Sequence, residues 1–218
     1  MSTEILKSPI EVANALAALG FKREHFDEVT QTMRAARNRC TENHPTGAGG
    51  YMAYSEGTCR LRDVAALLPG WERNNDYFIA SIFNRELNIK IAVCNTDDGT
   101  GIESKMPQNR NKKGSSLEQL VGDNQTVFES LMSQVNVIPI SQDMSGTTFW
   151  YLCVYSDGNI VRAELSCPNE CEGGFFKSFR KRIILLGTDE DGGDGVRRRS
   201  DVPEDKPDFE IVVTRKQA

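Results

Sequence analysis

The chain predicts an α+β fold: a mixed, mainly antiparallel sheet with helices packed on one face and an N-terminal helical pair. Three observations carry that expectation. Apolar residues recur at helical spacing through residues 8–40. From residue 77 onward, short β-branched and aromatic runs separated by turn residues dominate. Helical and strand patterns do not alternate steadily, as a doubly wound parallel sheet would require.

The elements follow in order. Ser8-Pro9-Ile10-Glu11 is a capping box with proline at the first helical position, where its fixed φ and missing N–H cost nothing. Gly20 closes this helix, and Ile10, Ala13, Leu16 and Ala17 form its expected apolar stripe. A second helix is predicted over 23–40, where Phe26, Val29, Met33, Ala36 and Cys40 repeat at helical spacing. Glu24, Asp27 and Glu28 near its start and Arg34, Arg37 and Arg39 near its end suit the helix dipole, with a nucleic-acid patch as the alternative reading of the arginines. The stretch from His44 through Gly50 has the composition of a connector, and its glycines lack the spacing of a standard phosphate-binding loop. A short strand over 51–54 is expected next, then a third helix over 58–68 stopped by Pro69-Gly70, with Trp71 packed on the core.

Residues 77–83 and 89–94 read as strands. Ser115-Ser116-Leu117-Glu118 is a further capping box, opening a helix whose apolar side carries Leu117, Leu120, Val121, Val127, Phe128, Leu131 and Met132. A strand over 135–140 is placed at an edge by Pro139. Residues 147–155 and 159–167 form a hairpin around Ser156-Asp157-Gly158. If Val161, Ala163 and Leu165 face the core, alternation sends Glu164 to the other face and, by expectation, to solvent. Phe175, Phe176 and Phe179 are expected to cover the sheet ahead of a strand over 182–186. The organisation is thus one domain over 1–187, with its N-terminal helical region at 8–44. A flexible charged loop over 188–208 and a terminal strand or tail over 209–218 follow.

Bulk properties bound the function classes. The 218 residues carry a net charge of −5, which argues against nucleic-acid binding over the whole surface and leaves room for a local basic patch. No apolar run reaches the ~20 residues of a membrane-spanning helix, and the N-terminus lacks a signal peptide's apolar centre. A cytoplasmic address follows as the expectation, with the six cysteines reduced. Cys167 and Cys171 have three residues between them, and a structural zinc site would need two further ligands, for which His25 and His44 are distant in sequence.

The segment from Asn95 to Ser116, NTDDGTGIESKMPQNRNKKGSS, holds the richest chemistry. Asp97, Asp98 and Glu103 follow the end of a strand, where sheet proteins often place ligand-binding groups. Oxygen ligands of this kind suit Mg2+, and Glu103-Ser104-Lys105 spells the acid-x-lysine element of metal-dependent nucleases, with Lys105 as electrostatic helper. Asp-Asp-Gly is equally ordinary turn chemistry. Arg110, Lys112 and Lys113 lead into Gly114, Ser115 and Ser116 at a predicted helix start, where free N–H groups attract anions. Arg197, Arg198 and Arg199 form a second basic run beside Asp189, Glu190, Asp191 and Asp194.

Three segments, IAVCNTDDGTGI, QNRNKKG and WYLCVYSDGNIVRAELSCPNECEGGFF, resemble a group of uncharacterised bacterial proteins, mostly proteobacterial. The resemblance spans residues 51–187 and brings no substrate or catalytic residue with it. It implies a bacterial or phage setting, in which accessory proteins often serve defence systems or mobile elements.

Three functions are therefore expected, in order. The first is a non-enzymatic binding module, needing no cofactor, that engages a partner protein or nucleic-acid phosphates through the loop and Arg197 to Arg199. The second is a metal-dependent nuclease or phosphodiesterase using Asp97, Asp98, Glu103 and Lys105. The third is an interaction subunit docking through an aromatic surface around Phe175 and Phe176.

Overall fold

The computed structural model describes residues 3–112, 147–157 and 160–187, leaving aside the side chain of Tyr77. The helix expected over 115–132, the strand over 135–140, the charged stretch 188–208 and the terminal strand lie outside these residues. So do Lys113, Gly114, Ser115, Ser116, Arg197, Arg198 and Arg199.

The chain runs β1 (Glu4–Leu6), α1 (Pro9–Ala18), α2 (Arg23–Asn38), α3 (Ala48–Ala65), β2 (Trp71–Asn74), β3 (Ser81–Asn84), β4 (Ile89–Asn95), β5 (Thr148–Ser156), β6 (Val161–Glu172) and β7 (Phe175–Leu186). The seven strands form one open sheet in the order β1-β7-β6-β5-β4-β3-β2. Only β1–β7 and β4–β5 pair in parallel; the other pairs are antiparallel. The α+β class read from the sequence is the one observed, with the helices on one face.

The α1 cap forms as expected: the Ser8 hydroxyl accepts from the Glu11 amide at 3.3 Å and donates to the Glu11 carboxylate at 2.7 Å. Its buried face differs from the expected one. Val12, Leu16 and the flanking Leu19 enter the core, while Ile10 is exposed and Ala13 and Ala17 face outward. The reason is that α1 is short and lies between β7 and α2, so packing selects a line through Val12 and Leu16. At the start of α2 the His25 ring accepts the Lys22 amide at 3.1 Å, and Phe26, Val29, Met33 and Ala36 bury the predicted stripe.

The expected strand over 51–54 does not form. Residues 48–65 make one helix, which buries Ala53, Gly57, Leu61, Val64 and Ala65. A Cβ at Gly57 would lie 2.4 Å from Met33 Cγ, so the glycine lets α3 approach α2 closely. That packing outweighs the poor helix propensity of the glycines. Trp71 opens β2, packs against Phe21 and donates from Nε1 to the Leu19 carbonyl at 3.1 Å. The strand expected over 77–83 shortens to β3, because residues 76–78 form a 3-10 turn.

The helix-side core joins Leu16, Phe26, Met33 and Leu61 to Ile91, Val93, Leu152, Leu165 and Ile183. Each such fully buried side chain contributes about 1.5–3 kcal/mol relative to exposure. A smaller cluster on the opposite sheet face holds Ala92, Cys94, Phe149, Tyr151, Cys153, Phe176 and Phe179. Phe175, Phe176 and Phe179 therefore lie within β7, and Phe176 and Phe179 are buried, not displayed as a docking surface. The extra length of β6 and β7 comes from their antiparallel pairing, which runs from Ala163↔Leu186 to Glu172↔Phe175.

All six cysteines are free thiols. Burial pushes the Cys167 thiol up from the ordinary 9.0 to about 12. The unfolded chain thus loses this proton first as pH rises, and the group lowers stability between pH 9 and about 12. The expected slope from this site is about 1.4 kcal/mol per pH unit, read from denaturant midpoints across the alkaline range. Cys167→Val removes that increment; an unchanged slope in the variant would refute the assignment.

Candidate functional site

The loop that follows β4 is built from the bottom by turns. The Thr100 amide donates to the Asp97 carbonyl at 3.2 Å, Ile102 to Gly99 at 3.3 Å and Lys105 to Ile102 at 3.3 Å. Asp97 Oδ1 accepts from the Gly99 and Gln108 amides at 3.1 and 3.0 Å, so this carboxylate closes the loop on itself. Thr96 pairs with Asn109 in an isolated bridge, and the buried Thr96 and Thr100 hydroxyls lie 2.6 Å apart.

Beneath the loop sits a buried ion pair. Glu164 was expected to face solvent, yet it is 0% exposed. Alternation along β6 does hold: Ala163, Leu165 and Cys167 enter the helix-side core, and Glu164 points the other way. The loop covers that second face. Arg182 Nε and Nη2 donate to the two Glu164 carboxylate oxygens at 2.9 and 2.6 Å. Ser166 Oγ and the Gly101 amide also donate to Glu164, at 2.6 and 2.7 Å. The remaining guanidinium bonds go to the loop, from Nη1 to the Lys105 carbonyl at 2.7 Å and from Nη2 to the Ile102 carbonyl at 3.1 Å. A second tie comes from Asn109, whose side chain accepts the Phe176 amide at 2.9 Å and donates to the Gly174 carbonyl at 2.8 Å.

This clamp fixes the loop but disperses its acids. Asp98 pairs with Lys105 at 2.9 Å, and that hydrogen bond draws the Asp98 carboxyl below its usual range. Glu103 pairs with Lys7 from the segment between β1 and α1. Asp97 is held by backbone amides. Among the described residues, no three His, Cys, Asp or Glu side chains gather as a metal-ligand group. Both histidines accept local backbone amides, His25 from Lys22 and His44 from Thr41. Cys167 and Cys171 pack toward opposite faces of the sheet.

The basic residues fall differently. Arg110 donates from Nε to the Thr96 carbonyl at 3.1 Å, and its guanidinium lies 5.5 Å from the centroid of the Tyr155 ring. Arg162, paired with Tyr155 across the hairpin, lies 4.7 Å from the same ring. Burial and the neighbouring Asp157 carboxylate together push the Tyr155 phenol up. Arg37, at the end of α2, joins Arg110, Asn95 and Ser156 around a small cleft at the ends of the parallel strands β4 and β5. The Ser156 hydroxyl is buried there without a hydrogen-bond partner among the described residues. Asn95 also donates to the Gly50 carbonyl at 2.8 Å, which brings the positive end of α3 to the same edge. Lys112 is exposed at the loop's end.

In the sequence Arg37 reads first as a dipole-matched helix residue, with a nucleic-acid patch as the alternative, and Arg162 stands in no motif. Its position beside Tyr155 on the hairpin carries a signal in cross-strand pairing. The meeting of three arginines at one edge arises from elements far apart in the chain. No described helix is long and apolar enough to cross a membrane. No protein-family model, curated protein or solved structure matches this chain.

Proposed function

We propose that the protein is a non-enzymatic binding module whose arginine-bearing sheet edge engages a phosphate-rich anionic partner, first of all a nucleic-acid backbone. One observation carries this reading: Arg37 of α2 and Arg110 of the loop anchored by the buried ion pair line one cleft at the ends of β4 and β5, with Arg162 buried behind them against the Tyr155 ring. Planar guanidiniums at a fixed edge suit phosphate oxygens, which they bind through paired hydrogen bonds. The net charge of −5 makes such a patch a local device, so contact is confined to this edge. The loop carboxylates are engaged by Lys105, Lys7 and backbone amides, and the half-exposed Arg37 and Arg110 carry positive charge at this edge.

The test is binding of a labelled nucleic acid across a salt series. Affinity is expected to fall steeply with salt, because each neutralised phosphate releases counterions. Replacing Arg37 and Arg110 together by glutamine is expected to reduce the log–log slope by about 1.5–2. Added Mg2+ is expected to act only as salt. Affinity indifferent to salt, or equal in the double variant, would rule the proposal out. Preference for an acidic protein over nucleic acid would move it to a protein partner.

A further inference from the structure

A second surface lies on the other side of α3, away from the loop. One face of that helix and the edge strand β2 border a groove of about 410 Å3. Tyr51, Tyr54, Thr58 and Arg62 line its helical wall, and Arg73 of β2 lines the opposite wall. These helix positions recur every three or four residues, so they share one stripe. The volume lies within the range of small-ligand sites.

Two arginines and one carboxylate, Asp63, line the groove, so positive charge is in excess. Arg62 donates from Nη2 to the Asn74 carbonyl at 2.7 Å and to Asn75 Oδ1 at 2.6 Å, both neutral acceptors. Its Nε is buried with no hydrogen-bond partner among the described residues. Arg73, on the opposite wall, is exposed and makes no ion pair among the described residues. Asp63 also borders the groove, but it lies 4.0 Å from Arg60. Burial and the facing Arg73 charge both lower the Arg62 basicity, as expected for two uncompensated guanidiniums. The Thr58 hydroxyl is likewise buried and without a hydrogen-bond partner among the described residues.

Two of the lining residues, Tyr51 and Tyr54, are aromatic. Tyr51 is 68% exposed, an unusual state for a ring on a helix that buries its other face. Two residues before the groove-lining Ala80, Phe78 is fully exposed and held at φ 59°. A bulky residue in the left-handed region is strained, and such strain concentrates at ligand clamps. Cationic walls with exposed rings are the arrangement on which nucleic-acid bases stack while phosphates are neutralised.

We propose that this groove takes a nucleotide unit, with its base against Tyr51 and its phosphate between Arg62 and Arg73. The site is independent of the arginine edge around Arg110. Two sources share the chemistry: a free mononucleotide and a residue within a single strand.

Anisotropy with a labelled single-stranded oligonucleotide of about 12 residues, with AMP as competitor, separates the two sources. Displacement by AMP identifies a free nucleotide; retention identifies the single strand. In either case Tyr51→Ala is expected to weaken binding about tenfold or more, while Tyr51→Phe retains it. Arg73→Ala is expected to lower the log–log salt slope by about 0.7. Tyr51 and Arg73 are exposed, so an unchanged thermal midpoint confirms that the variants fold. Absence of binding to both probes, or binding untouched by Tyr51→Ala and Arg73→Ala, overturns the groove assignment. So does preferential capture of polyglutamate. Binding lost only with the Arg37 and Arg110 replacements overturns the groove while supporting the edge.

Discussion

Arg182→Ala is expected to lose about 3–5 kcal/mol of folding stability, and Glu164→Ala a similar amount. Each change strands a charge at a buried position, since both side chains are almost wholly enclosed. The guanidinium also holds the Ile102 and Lys105 carbonyls, so its removal leaves two loop acceptors without their donor. For a chain of this length the loss corresponds to a fall in Tm on the order of 10 °C. Chemical denaturation of the single variants and of Glu164→Leu with Arg182→Met measures it. The apolar pair is expected to recover part of the loss, because neither charge is then left alone. It does not restore the loop, whose Gly101 amide has lost its acceptor. Faster hydrogen exchange at Gly101 with core amides unchanged would mark that separation. Single-variant losses below about 1 kcal/mol would show that the pair does not anchor the loop.

Gly101→Val is expected to be the most damaging change within the loop itself. Gly101 adopts φ +71°, where a β-branched side chain is strained. A Cβ there would lie 2.6 Å from the Leu186 carbonyl oxygen and 3.2 Å from Gly187 Cα, both backbone atoms that cannot swing aside. The strain alone costs about 1–3 kcal/mol, and the backbone clash adds to it. The loop is expected to lift from the β6–β7 face, taking Arg110 away from Tyr155. Two readouts check this: a fall in Tm and a matching loss of the salt-dependent affinity proposed for the arginine edge. Retained affinity with a lowered Tm would separate loop docking from binding.

The loop is only partly legible in the sequence because its partners lie far along the chain. Its sequence announced turns through Asp97, Asp98 and Gly99, and turns are what form. It also displayed three carboxylates in close succession, which on their own suit a divalent cation. Their partners could not be read locally. Lys7 reaches Glu103 across 96 residues, and Arg182 reaches the Lys105 carbonyl across 77. Tyr155, Arg162 and Arg110 meet because β5, β6 and the loop are neighbours in space.

Local pattern alone determined the Ser8–Glu11 cap, the buried stripe of α2, the β4 run, the hairpin of β5 and β6 and the alternation that sets Glu164 opposite Leu165. Those features depend on the periods of helix and strand, which any short window contains. Tertiary structure decided which faces are covered. Packing against Met33 made residues 48–65 one helix, and the clamped loop turned the outward face of β6 into a buried ionic layer. Coverage depends on contacts between distant segments, and a period carries no information about what comes to rest upon a face.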